Sequence, residues 1–222
     1  MKINEIFKTI QGEATYTGTP SLFIRTQGCP VWCSWCDTKF TWHNGKKSQL
    51  KDKSEIIEKI GQDERFTELA NQELLEIAKQ YKVNHIVITG GEPFINNLTD
   101  ITTLLIENGF SVQIETSCTQ EIKCHNKTWI TGSPKINMAG KQEIKSNALQ
   151  RTNEIKFPIL NENDLKNLLG LINDYQLNNK LIWLQPVDLH GDKDTSLKLC
   201  LEACYRYNFR LSIQTHKYIG LK

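Results

Sequence analysis

Short apolar runs recur along the chain: Leu22-Phe23-Ile24, Ile86-Val87-Ile88, residues 112–114, Trp129-Ile130, residues 155–157, residues 181–184, and Leu211 with Ile213. Their length and β-branched content predict buried strands. Helical periodicity fills several of the gaps. Asn71 is placed to cap a helix whose Leu74, Leu75, Ala78 and Tyr81 share one face. Residues 98–108 read as a helix stopped by Gly109, and residues 164–175 and 196–207 read the same way. Strands alternating with helices predict an α/β fold with a parallel sheet. A closed eight-fold barrel usually takes about 250 residues. This chain has 222, about seven strands and fewer clear helices, so a partial, incomplete parallel β/α barrel is expected. Residues 61–70 are charged and weakly patterned and read as a surface insertion. With no repeat, low-complexity tract or linker, residues 1–222 read as one domain.

Composition narrows the picture. Apolar residues make up 39% and charged residues 23%, which excludes a disordered chain. No run of 18 apolar residues suggests a membrane span. The start, MKINEIFKTIQGE, lacks an apolar signal core, so a cytoplasmic location is expected. Lys plus Arg is 27 against 25 for Asp plus Glu, which gives no basic footprint for nucleic acid. Seven cysteines disfavour a closed disulfide framework and favour metal or redox chemistry.

The informative stretch is Gly28-Cys29-Pro30-Val31-Trp32-Cys33-Ser34-Trp35-Cys36-Asp37-Thr38. It follows the first strong strand and so falls on a loop at that strand's C-terminal end. Three thiolates spaced C-x3-C-x2-C suit either zinc or an iron–sulfur cluster. Structural zinc sites usually close with four protein ligands, and the fourth here would be a distant Cys118, Cys124 or His43. Three thiolates on a four-iron cubane leave one iron open to a chelating ligand. Trp32 and Trp35 would then shield the cluster from water. The motif resembles that of the radical S-adenosylmethionine (SAM) enzymes, in which an aromatic precedes the third cysteine; Trp35 fills that place. The resemblance implies that the open iron binds SAM, which is cleaved to a 5′-deoxyadenosyl radical that takes a hydrogen atom from the substrate. The cofactor carries the chemistry and the protein orients it.

A second motif, Gly90-Gly91-Glu92-Pro93, follows the strand at residues 85–89. Alone it reads as an ordinary βα turn. In the superfamily such a segment meets the SAM methionine, which implies a contact from Gly91 and an acceptor role for Glu92. Further segments narrow the resemblance: Thr9-Ile10-Gln11-Gly12-Glu13, Phe23-Ile24-Arg25, Cys36-Asp37-Thr38, Ile114-Glu115-Thr116, Ser133-Pro134-Lys135, Gln185-Pro186-Val187-Asp188 and Gln214-Thr215-His216-Lys217-Tyr218. Together, end to end and in order, they are similar to the 7-carboxy-7-deazaguanine synthases. The uninterrupted cluster loop is similar to the enterobacterial branch. The resemblance implies a lyase that converts 6-carboxy-5,6,7,8-tetrahydropterin to 7-carboxy-7-deazaguanine with loss of ammonia, on the route to queuosine. It also implies one [4Fe-4S] cluster, SAM, Mg²⁺, an external electron donor such as flavodoxin, and a homodimer.

Carried onto this sequence, the resemblance makes Cys29, Cys33 and Cys36 the cluster ligands. It has Trp35, Cys36, Asp37, Gly91, Ser133, Pro134, Lys135 and residues 185–188 (Gln185, Pro186, Val187, Asp188) border SAM. It gives Ile10, Gln11, Gly12, Arg25, Thr89 and the terminal carboxylate of Lys222 to the substrate, with Glu13 and His216 nearby, and sets Glu115 at the SAM ribose. Arg25 lies within an apolar strand, where an unpaired cation is costly. It either pairs with a structural acid or grips the substrate carboxylate as a fork, and the substrate role ranks first. Thr38 is either a helix-capping residue or, as the resemblance implies, the Mg²⁺ ligand; Mg²⁺ takes oxygen donors and keeps several waters. Other residues read plainly. Cys200 and Cys204 pack inside a helix, Cys118 and Cys124 are free thiols, and His43, His85, His125 and His190 are surface or packing histidines. Two other readings stay open: a different radical SAM chemistry such as a glycyl-radical-enzyme activase, and a zinc-stabilised nucleic-acid-binding domain.

Overall fold

The computed structural model describes residues 1–43, 45, 48–187 and 193–221. All seven expected strands form, and two more join them. The elements run β1 (Lys2–Ile10), β2 (Pro20–Thr26), β3 (Thr67–Glu68), α1 (Asn71–Gln80), β4 (His85–Gly90), α2 (Thr99–Glu107), β5 (Ser111–Thr116) and β6 (Trp129–Gly132). They continue with α3 (Ser146–Arg151), β7 (Glu154–Ile159), α4 (Glu162–Asp174), β8 (Leu181–Pro186), α5 (Lys193–Tyr207), β9 (Arg210–Leu211) and α6 (Thr215–Tyr218). They build one nine-stranded sheet in the order β3-β1-β2-β4-β5-β6-β7-β8-β9. From β2 onward every pairing is parallel, while β1 pairs antiparallel with β2 and β3. The sheet has two edges, β3 and β9, so it is an α/β partial barrel.

Period-two alternation sorts the strands into two faces. Ile6, Ile24, Ile86, Ile88, Ile114 and Ile130 pack with Leu74, Leu75, Ile101 and Leu105 of α1 and α2. Ile155, Phe157, Ile182 and Leu184 pack with Leu149, Leu168, Leu171 and Cys200 of α3, α4 and α5. The intervening positions, among them Phe7, Arg25, Thr89, Glu115, Lys156 and Gln185, face the barrel interior and its cavity. Cys200 is fully buried and Cys204 packs beside it, as expected.

Two expectations about elements change. Residues 61–70 are not wholly a surface insertion: Phe66, Thr67 and Leu69 are buried, and β3 pairs with β1. Asn71 is the first helical residue rather than the cap. Ala70 takes the cap position, and its N–H donates to Glu73 Oε2 at 2.8 Å.

The interior wall is polar, so its groups need partners. Glu154, 0% exposed, accepts from Trp129 Nε1 (3.0 Å) and Thr131 Oγ1 (2.6 Å) on Oε1, and from Trp183 Nε1 (2.8 Å) and Thr15 Oγ1 on Oε2. Gln113 Nε2 donates to Thr131 Oγ1 at 2.9 Å, and the Gln113 amide oxygen lies 3.1 Å from His85 Nε2. His85 is therefore a packing residue, set against Tyr16 with ring centroids 4.2 Å apart and the planes tilted by 31°. The β1–β2 loop that carries Tyr16 also bridges towards the far edge of the sheet. Ala14 N donates to Ser212 Oγ (3.0 Å) and Thr215 N to Gly12 O (3.0 Å). Gly12 must be glycine here, because a Cβ would stand 2.1 Å from His216 Nδ1.

Glu154→Gln exchanges an acceptor for an amide that faces two donors. It should destabilise the protein by about 2–4 kcal/mol, read as a lower urea midpoint at unchanged slope.

Candidate active site

The parallel register brings strand ends together. Thr26 pairs with Gly90, Thr116 with Gly132 and Ile159 with Pro186. Loops leaving the C-terminal ends of such strands are where α/β proteins build sites, and a cavity of about 430 Å³ opens there.

Cys29, Cys33 and Cys36 all line this cavity as free thiols. The loop is tied down at both ends: Gly28 N donates to Thr41 O (2.7 Å) and Cys29 N to Trp42 O (3.2 Å). Glu92 N donates to Gly28 O (2.9 Å), which lays the Gly90-Gly91-Glu92 turn against the cysteine loop. At Gly91 a Cβ would lie 2.1 Å from Gly28 O and 3.1 Å from Cys29 Cβ. Burial pushes the Cys29 thiol up to about 11 and raises Cys33 as well. A bound metal would deprotonate both. Three soft donors around one open cavity fit a cluster that leaves one iron to a ligand. Among the described residues no group of three or more His, Cys, Asp or Glu could hold a single metal ion, as the zinc alternative requires.

The other expected residues divide into three sets. Ile10, Gln11, Glu13, Arg25, Trp35, Asp37, Thr38, Thr89, Gly91, Glu115, Ser133, Lys135, Gln185, Pro186, Val187 and His216 line the same cavity. Gly12, Glu92, Pro134 and Trp32 do not. Asp188, His190 and Lys222 lie outside the described residues.

Several of these placements correct an expectation. Glu92 is 1% exposed and already engaged within the protein. Its Oε1 accepts from Thr116 Oγ1 (2.8 Å) and Phe94 N (3.1 Å), and its Oε2 from Ser117 N (2.8 Å) and Ser117 Oγ. Its carboxylate holds the β5 end beside the β4 turn instead of meeting a ligand ammonium. Gly12 contributes shape rather than a cavity surface, since it lies under His216. Trp32 is 45% exposed in left-handed backbone, φ 55°, and shields nothing on the cavity side. Trp35 does border the cavity, with Lys135 Nζ 4.5 Å from its ring centroid. Thr38 sits at the start of a 3₁₀ turn, but its side chain caps nothing; its hydroxyl lies 3.5 Å from Cys36 Sγ. Arg25 takes the structural alternative and still reaches the cavity. Nε donates to buried Glu5 Oε1 at 2.6 Å, and the side chain borders the cavity.

Sequence reading passed over Lys156. Its side chain is 8% exposed on the interior face of β7, bonded to Glu13 Oε2 and to Glu115 Oε2 (3.3 Å). Burial would lower the ammonium, but the two carboxylates win and raise it. Burial would likewise raise Glu13. Lys156, with a hydrogen bond from Gln214 Nε2 (2.7 Å), instead holds it down at about 2. Gln11 Nε2 donates to Glu115 Oε1 at 3.1 Å, and Gln11 Oε1 accepts from Glu13 N at 3.1 Å. Glu115 thus stands with Gln11 and Glu13. The signal for Lys156 was available: a lone cation inside the apolar run Glu154-Ile155-Lys156-Phe157-Pro158-Ile159.

A partial parallel barrel with three cysteines on the loop after its first parallel strand, laid against a Gly-Gly-Glu-Pro turn, defines a radical SAM protein. The family model of the radical SAM superfamily matches residues 23–123. Over its whole length the chain is similar to 7-carboxy-7-deazaguanine synthases. It is 45% identical to that of Escherichia coli (strain K12) over 99% of this chain and 98% of the relative, and 45% identical, with the same coverage, to that of Buchnera aphidicola subsp. Schizaphis graminum. It is 32% identical to that of Aquifex aeolicus over 99% and 94%. The crystal structure of QueE from Escherichia coli superposes with a TM-score of 0.89 at 43% identity, covering 96% of this chain and 93% of that one. The chain belongs to the 7-carboxy-7-deazaguanine synthase family. Membership brings a [4Fe-4S] cluster, SAM and a need for an electron donor.

Gly91→Ala forces the turn away from the cysteine loop. Iron content after anaerobic reconstitution should fall and turnover should drop by about a hundredfold, with the far-UV circular dichroism unchanged.

Proposed function

We propose that this chain is a radical SAM lyase that converts 6-carboxy-5,6,7,8-tetrahydropterin to 7-carboxy-7-deazaguanine with loss of ammonia, in queuosine biosynthesis. The observation that carries this reading is convergence. Segments scattered from residue 10 to residue 216 line one cavity with the three cysteines, in a chain 45% identical to the Escherichia coli enzyme over 99% of its length.

The cluster and SAM, when bound, supply the one-electron chemistry that removes a hydrogen atom from the substrate. The chain's residues do the rest. Cys29, Cys33 and Cys36 would hold the cluster. Trp35, Cys36, Asp37, Gly91, Ser133, Lys135, Gln185, Pro186 and Val187 would border SAM, and the family resemblance gives Pro134 and Asp188 the same role. Arg25, held by Glu5 through Nε, offers its remaining edge to the substrate carboxylate. Ile10, Gln11, Glu13, Thr89 and the terminal carboxylate of Lys222 orient the pterin, with Gly12 fixing the approach of His216. The Thr38 hydroxyl, which caps no helix, would offer its oxygen to a Mg²⁺ ion, a metal that prefers oxygen donors. The reading includes a single-domain protein, a homodimer in the cytoplasm, and reduction by a donor such as flavodoxin.

Anaerobic incubation with SAM, dithionite, Mg²⁺ and the carboxytetrahydropterin tests the activity, with mass spectrometry looking for the deazaguanine acid. Absence of that product from cluster-loaded protein rejects it. Replacing any one of Cys29, Cys33 or Cys36 by Ala should abolish SAM cleavage; a variant that keeps a full cluster and normal turnover contradicts the ligand assignment. Thr38→Ala should lower turnover more at limiting than at saturating Mg²⁺ while leaving iron content intact. Superimposable Mg²⁺ titrations of the two proteins would remove Thr38 from the metal site.

A further inference from the structure

Glu13 and Glu115 come from the β1–β2 loop and from β5, and both border the cavity. Two carboxylates facing one cavity repel each other, and without help one of them takes up a proton. Here a single cation lies between them. Lys156 reaches Oε2 of each from β7, an element that otherwise brings only Pro158 to the cavity. The remaining bonds to the pair come from neutral amides: Gln11 Nε2 to Glu115 Oε1 and Gln214 Nε2 to Glu13 Oε1. Gln11 is itself held, since its Nε2 also donates to Gln113 Oε1 at 3.2 Å and its Oε1 accepts from Glu13 N. The result is a floor of fixed oxygen acceptors tied to the polar interior of the barrel.

An aminopyrimidinone ring carries the opposite pattern along one edge: a ring N–H beside an exocyclic amino group, both donors. An ionised carboxylate accepts two parallel N–H bonds, whereas a protonated carboxyl offers a donor against a donor. We propose that Lys156 is a positioning residue that locks Glu13 and Glu115 into an acceptor-only pair, and that this pair selects the N–H edge of the substrate ring. The inference rests on the pterin reading above and adds the device by which that ring is told from one lacking the two donors.

The charged groups around the lysine are few. Besides Glu13 and Glu115, it acts at longer range on Lys135 of the loop after β6 and on His216 of the C-terminal segment, and burial lowers both of these. Asp37 of the cysteine loop opposes that lowering at both. Glu154, two residues earlier on the same face of β7, is occupied by its own four donors. The ammonium at position 156 is thus the only cation bonded to the pair among the described residues.

Lys156→Met keeps the length and apolar stem and removes the charge. With its cluster loaded to the wild-type level, this variant should show a substrate KM raised roughly tenfold or more and a smaller change in kcat. Its kcat/KM should also gain an acid limb between about pH 5 and 7.5, where the wild type is flat. Equilibrium binding of the pterin to the SAM-loaded, unreduced protein should weaken more at the acid end of that range than at the alkaline end. Lys156→Arg should restore the flat profile, and adding Glu115→Gln to Lys156→Met should move the limb back to lower pH. A Lys156→Met protein with wild-type KM and a flat profile overturns the proposal, as does an equal loss at every pH. Should that variant fail to load its cluster, Lys156→Gln, which still donates to both carboxylates, takes its place; loss of the fold in both variants makes the lysine structural and overturns the proposal too. A wild-type protein that makes no deazaguanine acid rejects the pterin reading instead, so the two failures are distinct.

Discussion

Three stretches of chain far apart in sequence meet at one ammonium group. Lys156, in the middle of β7, joins the loop after β1 to the end of β5 through Glu13 and Glu115, inside a sheet that has two edges rather than a closed seam. A buried ion pair adds little net stability, but breaking one is expensive because it leaves a charge without a partner. The arrangement therefore sets where the β1–β2 loop can lie. That loop in turn carries Gln11 into the cavity, puts Tyr16 under His85, and receives the C-terminal segment at Gly12.

The same logic runs down the interior. Glu92 and Glu154 are buried carboxylates, each saturated by donors from neighbouring strands and loops. Each uses its acceptor oxygens to tie neighbouring strands and loops together. Glu154 braces the lower end of the barrel. Glu92 braces the upper end, where Gly91 meets the cysteine loop at a distance no side chain tolerates. A catalytic cavity needs such support because small displacements of bound groups cost large factors in rate. Helices α1 to α5 contribute to the site only indirectly, by covering the outer face with apolar side chains and so leaving the inner face free to be polar, whereas α6 brings His216 to the cavity.

Legibility differed between elements for physical reasons. The seven parallel strands announced themselves because their outer-face residues are apolar and β-branched. β1 did not, since Asn4, Glu5, Lys8 and Thr9 interrupt its pattern. Asn4 and Glu5 are nevertheless buried, paired with Gln27 and Arg25. Residues 61–70 looked like surface because charges surround Phe66 and Leu69, and only pairing of β3 with β1 shows that those two are core. At α1 the cap fell one residue earlier than composition suggested, because Glu73 reaches back to the Ala70 amide. From their place in motifs Trp32 was expected to shield the cluster and Glu92 to meet the ligand, yet exposure and hydrogen bonding assign one to the surface and the other to the scaffold.

The sequence by itself determined the cysteine spacing, the glycine turn, the α/β class and the polar residues at strand ends, while the family resemblance picked out which polar segments share a site. These are local properties: spacing on a loop, period-two apolarity, residue types at strand ends. Only the tertiary structure decided which charges face which. That Arg25 is shared between Glu5 and the cavity, that Glu92 turns inward, and that Lys156 stands between two carboxylates all depend on strand register and on a loop crossing the open side of the sheet. Contacts between residues more than a hundred positions apart, such as Glu13 with Lys156 and Gly12 with Thr215, leave no periodic trace in the chain. Each partner alone reads as an ordinary solvated residue or a turn, and only burial in a shared low-dielectric space makes the pairing obligatory.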